Sequence, residues 1–301
     1  MLHAQPDTDS YDNGRAFTWE NVHIEKDRGF VFGNPLGSGT TSTVYKAHHP
    51  FHGNAAVKAI QPIYADYVEA ELDILSRIQG TPYIIRVLDA WHVHDNWYIA
   101  MEWVEGTLLD RMDHGMTVDD IHDAAKQIAA ALTYLHAKDI VHFDLKPENI
   151  GYVTQDDGRV VYKLMDFGTS ECLSTVQSTD FQNGIAHHSI VKTSKWYRAY
   201  ELFGFDGGIT DTSDITDKVD VWSFGCILFE MLTNRVLFEH LEKSHDLAVN
   251  KNTIVEGWYD AQKCMSTAPS AKHAELILIA LQCVTPFVSK RPNSFTVFTL
   301  L

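Results

Sequence analysis

The feature that most limits how this chain can fold is a change of hydrophobic period near Gly106. Before it lie short β-like runs at residues 30–32, 42–47, 55–60, 84–91 and 97–103, punctuated by Gly, Pro and Asn. One helical segment interrupts them. After Pro62, apolar Val68, Leu72, Leu75 and Ile78 recur at intervals of four and three, the stripe of an amphipathic helix. Beyond Gly106 helices take over. Thr117 with Asp120 three residues later approximates a capping box, and Ile121, Ala125, Ile128, Leu132 and Leu135 then mark one helical face. Residues 219–232 are apolar nearly all round, as in a helix buried in a core, and residues 271–283 are similar. The chain therefore reads as an α+β protein of two lobes with a cleft between them. Residues 1–29 are a polar, acidic, partly disordered extension with isolated Phe17 and Trp19, residues 30–104 a small β-rich lobe, and residues 105–301 a larger helical lobe.

Composition narrows the function. With 24 Lys+Arg against 40 Asp+Glu the net charge is −16, and acids outnumber bases in both lobes. A nucleic-acid coat needs a basic stripe, so no nucleic-acid partner is expected. The longest apolar stretches fall far short of the roughly 18 residues of a membrane span, and residues 1–20 show no basic start followed by an apolar core. Cys172, Cys226, Cys264 and Cys283 form no Cys-x-x-Cys pair and suit a reducing compartment. An intracellular protein, cytoplasmic or nuclear, is the expectation. His92 and His94 would share a strand face, but without a third ligand in pattern they read as no metal site.

Phosphate chemistry is concentrated in three places. Leu36-Gly37-Ser38-Gly39-Thr40-Thr41-Ser42-Thr43-Val44 lies where one β-run turns into the next, and its glycines would let backbone N–H groups approach a phosphate. A hairpin that needs glycine for its turn is the plain alternative. Lys58 follows nineteen residues after Gly39, inside the apolar run Ala55-Ala56-Val57-Lys58-Ala59-Ile60. A lysine there is costly to bury unpaired, so an anion must sit nearby, with Glu71 first and Glu69 second in line. The most specific run is His142-Phe143-Asp144-Leu145-Lys146-Pro147-Glu148-Asn149, followed by Met165-Asp166-Phe167-Gly168. It gathers carboxylate, amide and ammonium groups suited to Mg²⁺ and phosphate.

These motifs, in this order, resemble the eukaryotic protein kinase family over residues 30–301. Trp196-Tyr197-Arg198-Ala199-Tyr200-Glu201 looks like the end of an activation segment, Asp220-Val221-Trp222-Ser223-Phe224-Gly225 like the start of the central helix, and Arg291 like the late partner of Glu201. The resemblance implies a bilobal kinase fold using ATP and Mg²⁺ on Ser/Thr hydroxyls of protein substrates, the Asp144-Leu145-Lys146 form of the loop matching the Ser/Thr class. It implies that Lys58 holds the α- and β-phosphates and Glu71 holds Lys58. Asp166 and Asn149 would ligate metal, Asp144 would accept the hydroxyl proton, and Lys146 would steady the γ-phosphoryl group. Leu36, Gly37, Ser38, Gly39, Val44, Ala56 and Lys58 would line the nucleotide from above. Met101 would act as gatekeeper before a hinge of Glu102, Trp103 and Val104. His142, Phe167 and Leu75 would pack, and Asp220 would anchor the loop backbone.

Three departures matter. Ser42 replaces the third loop glycine, Tyr200 replaces a proline beside Glu201, and Phe143 replaces the arginine of His-Arg-Asp, which in the family often reads a phosphate on the activation segment. Activity independent of phosphorylation in that long segment is therefore expected. The rival readings are a pseudokinase scaffold and a small-molecule kinase. Retention of Lys58, Asp144, Asn149 and Asp166 argues against the first. The long segment and the Glu201–Arg291 pair argue against the second. Glu105 and Glu148 near the cleft suggest a taste for basic residues around the target.

Overall fold

The computed structural model describes residues 28–39, 42–93, 96–176, 194–203, 215–239 and 247–301. The extension up to residue 27, His94, and most of the segment between Cys172 and Ser194 lie outside the described residues.

The early β-runs form one antiparallel sheet: β1 (Val31–Ser38), β2 (Ser42–His49), β3 (Gly53–Ile60), β4 (Val87–Val93) and β5 (Asn96–Glu102), in the order β1-β2-β3-β5-β4. Register fixes the faces. Val44 lies opposite Lys58, Lys46 opposite Ala56, and Ala56 opposite Met101, so the pleat turns these side chains to one side. The other side carries its own apolar cluster of Phe30, Ala47, Ala55, Val57, Trp91 and Ala100. The stripe after Pro62 forms α1 (Ala65–Ile78), and Val68, Leu72, Leu75 and Ile78 are all buried in the main core with Ile60 and Ile99.

The run expected from residue 84 begins as a strand only at Val87. Ile84 and Ile85 instead bond to the helical lobe. Ile84 bridges Leu164 in parallel, and the Ile85 amide donates to the Leu164 carbonyl at 2.9 Å. These bonds tie the two halves together below α1.

After β6 (Gly106–Thr107), α2 (Leu108–Asp113) and α3 (Val118–His136) each start at a threonine with a reciprocal capping box, Thr107 with Asp110 and Thr117 with Asp120. Two small sheets then position the loops. β6 pairs β8 (Ile150–Thr154), which pairs β9 (Val160–Leu164). β7 (Ile140–Val141) pairs β10 (Glu171–Cys172), which leads into a single turn, α4 (Leu173–Val176). The segments before Asp144 and after Asp166 are therefore clamped side by side.

The apolar stretch forms α5 (Lys218–Thr233), buried continuously from Val219 to Met231. It packs on α7 (Ala271–Cys283) through Gly225, where an added Cβ would lie 2.6 Å from the Cys283 Cβ and 2.9 Å from the Ala280 carbonyl oxygen. Two further helices, α6 (Leu247–Met265) and α8 (Ser294–Leu300), were not legible in the sequence. In α6 only Ile254 and Ala261 are fully buried among the described side chains, a stripe too sparse to stand out. All four cysteines are free. Among the described residues no helix is long and apolar enough to cross a membrane.

Candidate active site

Lys58 projects from the middle of β3 into the space between the lobes, where its Nζ donates to both Glu71 oxygens, at 2.7 and 2.9 Å, and to Asp166 Oδ1 at 3.0 Å. Three distant parts of the chain thus meet at one ammonium. Burial works against its charge, yet the Asp166 and Glu71 carboxylates outweigh that cost and hold the Lys58 pKa above its ordinary value. Asp166 is held down at about 2, first by the Lys58 charge. A spacing of 13 residues between Lys58 and Glu71 leaves little room for a connecting helix. The pair nevertheless forms, because α1 begins at Ala65 and places Glu71 in its second turn. Gly168 lies beside this group, where an added Cβ would meet Glu71 Oε2 at 3.4 Å and Lys58 Nζ at 3.6 Å, ordinary contact distances.

The loop after β7 is built around Asp144. Its Oδ2 accepts from Lys146 Nζ at 2.6 Å and from Asn149 Nδ2 at 3.1 Å, and its Oδ1 accepts from the Ser194 amide at 3.0 Å. Asn149 Nδ2 also donates to the Asp144 carbonyl at 2.8 Å, which directs the amide oxygen the other way. The loop backbone is held from beneath by fully buried Asp220, which accepts from the amides of His142 at 2.8 Å and Phe143 at 2.9 Å. His136 adds a third bond to Asp220, at 3.0 Å, a contact no sequence pattern announced. Phe143 and Asp166 both have left-handed backbone, with φ of 65° and 57°. Such strain persists only where surroundings over-determine it, and both residues flank the cluster. The His142 ring packs on Phe167 at 5.0 Å and its Nε2 lies 3.0 Å from the Met165 carbonyl oxygen.

Other expected residues take their places with qualifications. Gly37 has no atom within 4 Å of an added Cβ, the nearest to Gly39 is 3.8 Å away, and neither has positive φ. The fold itself does not demand glycine there. The Gly39 amide donates to the Ser42 carbonyl at 2.8 Å; residues 40 and 41 lie outside the described residues. Leu36 is exposed near the end of β1, while Ala56 and Met101 face each other across β3 and β5. The Glu102 amide is committed to the Arg86 carbonyl at 2.9 Å, and its carboxylate to the Arg86 amide and Lys163. Trp103 lies under Lys46, whose Nζ is 4.9 Å from the ring centroid. Glu105 accepts from the Thr154 amide and hydroxyl, at 2.8 Å each. Glu69 makes none of the bonds to Lys58.

Behind the site, Tyr197 donates its hydroxyl to Glu230 at 2.7 Å, and Arg291 forms a two-pronged pair with Glu201 at 2.7 and 2.9 Å. A buried ion pair of this kind holds the segment around residues 196–201 against α5.

The site's donor set fits a divalent cation and a polyphosphate: half-exposed Asp166 and the Asn149 amide oxygen are hard oxygen ligands beside two ammonium groups. A two-lobed fold with such a cluster in its cleft defines a phosphotransferase architecture. The family model described as the protein kinase domain matches residues 30–299, and the chain belongs to that family. It is 34% identical over 239 residues to a calcium/calmodulin-dependent protein kinase of Metarhizium anisopliae, covering 77% of this chain and 54% of that protein. It is 30% identical over 234 residues to the serine/threonine-protein kinase PKH2 of Saccharomyces cerevisiae, covering 73% and 20%. Over 286 residues it is 27% identical to mitogen-activated protein kinase 15 of Caenorhabditis elegans, covering 88% and 58%. The domain is thus of the eukaryotic serine/threonine kinase type, and the chain spans less than two thirds of each of these relatives.

Proposed function

We propose that this chain is an ATP- and Mg²⁺-dependent protein kinase that phosphorylates Ser and Thr hydroxyls of protein substrates. The observation that carries the reading is Lys58 bonded at once to Glu71 and Asp166, the arrangement in which a phosphate-binding lysine and a metal-binding carboxylate face the same space. The lobes are residues 30–104 and 105–301, with residues 1–29 as an extension. The nucleotide lies between Leu36, Val44 and Ala56 above and the hinge of Met101, Glu102, Trp103 and Val104 behind. Glycine at 37 and 39, which the fold does not need, leaves room for phosphate.

Bound Mg²⁺ would be held by Asp166 and Asn149 and would neutralise charge on the phosphates. Lys58 holds the α- and β-phosphates, and Glu71 fixes Lys58. The substrate hydroxyl gives its proton to Asp144 as the γ-phosphoryl group leaves ADP. Lys146, already 2.6 Å from Asp144, turns to the transferring oxygens. Because the transition-state charge is spread over oxygens, positioning and electrostatics supply most of the acceleration.

Phe143 supports independence from activation-segment phosphorylation. Its side chain is buried among core residues where an arginine would have to point to a phosphate. Glu105 and Glu148, the two acids near the cleft, would favour basic residues around the target. An intracellular location, cytoplasmic or nuclear, goes with this reading. Incubation with ATP, Mg²⁺ and mixed proteins, read as phosphoserine or phosphothreonine, tests it. Nucleotide binding without transfer would instead support a pseudokinase scaffold.

A further inference from the structure

A row of aromatic rings crosses the face of the five-stranded sheet that is turned away from Lys58, where Tyr98 lies opposite Ala59 and Trp91 opposite Tyr98. It begins with Phe30, stacked on Trp91 at 5.5 Å, and passes to Tyr98, stacked on Trp91 at 5.3 Å. Phe32 meets Tyr98 edge-on at 5.9 Å, and Tyr45 meets Phe32 edge-on at 5.8 Å. Phe30 and Trp91 are buried, whereas Phe32, Tyr45 and Tyr98 keep part of their surface open. These three, with Trp91 and Val93, line a cavity of about 430 Å³. The chain arrives on the same face. Arg28 and Gly29 have left-handed backbone, with φ of 42° and 81°, and Arg28 Nε donates to the buried Asp89 carboxylate at 2.7 Å. Asp89, Trp91 and Val93 alternate onto one face of β4, so only four residues of strand, about 13 Å, separate this anchor from the cavity.

We propose that this cavity is the docking site of the chain's own N-terminal segment, with Phe17 and Trp19 seated against Phe32, Tyr45 and Tyr98. Trp19 precedes Arg28 by nine positions, a reach of up to about 30 Å and more than twice what the path along β4 requires. Phe17 and Trp19 are two residues apart, so an extended segment turns both to one side. They stand among Asp7, Asp9, Asp12, Glu20 and Glu25, which offer them nothing apolar nearby in sequence to pack on. Open aromatic rings are suitable partners, and Gln61 and Asn96 in the same lining can accept from the indole N–H. The tether makes the encounter intramolecular, so modest contacts suffice. Docked in this way, the first residues belong to the β-rich lobe and extend its aromatic row, whatever reaction the cleft performs.

The test is thermal unfolding of the full chain as wild type, as Phe17→Ala with Trp19→Ala, as Tyr45→Ala, and with all three changes. Removing the two rings should lower the melting temperature by about 2–4 °C, the order expected for losing an aromatic contact in a chain of this size. The same removal should cost nothing further once Tyr45 is alanine, because the two sites are then already uncoupled. An excess of a peptide of residues 12–24 should restore the melting temperature of the Phe17→Ala, Trp19→Ala chain. The same peptide with both rings replaced by alanine should not. If Tyr45→Ala does not fold, Val93→Ser takes its place in the cycle. An unchanged melting temperature without the two rings would overturn the proposal, as would losses that simply add. A loss that grows with protein concentration, with a dimer in sedimentation, would also overturn it by giving the cavity to a second copy of the chain.

Discussion

In the proposed mechanism, Asp144 is the residue on which transfer turns. It sits at the convergence of Lys146, Asn149 and the Ser194 amide. Asp144→Ala should retain ATP binding and lower turnover by about 10²- to 10⁴-fold, the usual general-base contribution, as measured by steady-state kinetics beside nucleotide titration. Asp166 makes a prediction about pH. Its folded pKa of about 2 lies below the unfolded value, so its stabilising effect is present above about pH 4 and fades as pH falls toward 2. The stability difference between wild type and Asp166→Asn should be flat from about pH 5 to 8 and shrink only below about 4; shrinkage centred near pH 6 would contradict the pairing with Lys58. Asp144, Lys146, Asn149 and Asp166 were legible in sequence because they are polar groups gathered in two short, closely spaced runs. His136 on Asp220 and the Thr154 contacts of Glu105 were not. They depend on which face of a helix or strand meets a loop far away in the chain, and no local pattern carries that.

At the scale of elements, α1 and α3 were readable from their apolar stripes and α5 and α7 from runs that are apolar nearly all round, whereas α6 has neither, with too few buried side chains to stand out. The pairing of β7 with β10 was also invisible, since two-residue strands have no period. Among the described glycines the most closely enclosed is Gly225 of α5, where an added Cβ would lie 2.6 Å from the Cys283 Cβ of α7. Gly225→Val should cost about 1–3 kcal/mol or more, the range for overpacking a filled core, read by chemical denaturation. An unchanged midpoint would show that the two helices can separate freely. α1 has a parallel role in the site: Glu71→Gln removes the charge partner of Lys58 and should weaken nucleotide binding while leaving the fold's melting temperature much less affected than Gly225→Val.

Across the whole molecule, the acidic charge of −16 opposes a polyphosphate, so a few positive groups must act locally against the general field. The Glu201–Arg291 pair, with side chains 5% and 0% exposed, links the end of the activation segment to the base of the helical lobe. Glu201→Ala leaves Arg291 buried without its counter-charge and should cost about 3–5 kcal/mol in unfolding free energy. A cost below 1 kcal/mol would mean that the bonds from Arg291 to the Thr285 and Lys218 carbonyls suffice alone. The most direct measurement is transfer of labelled γ-phosphate from ATP with Mg²⁺ to mixed protein substrate, wild type beside Asp144→Ala, with and without chelator. The expected result is phosphoserine and phosphothreonine formed by the wild type, lost on chelation and sharply reduced in the variant. No transfer by the wild type, or equal transfer by Asp144→Ala, would contradict it.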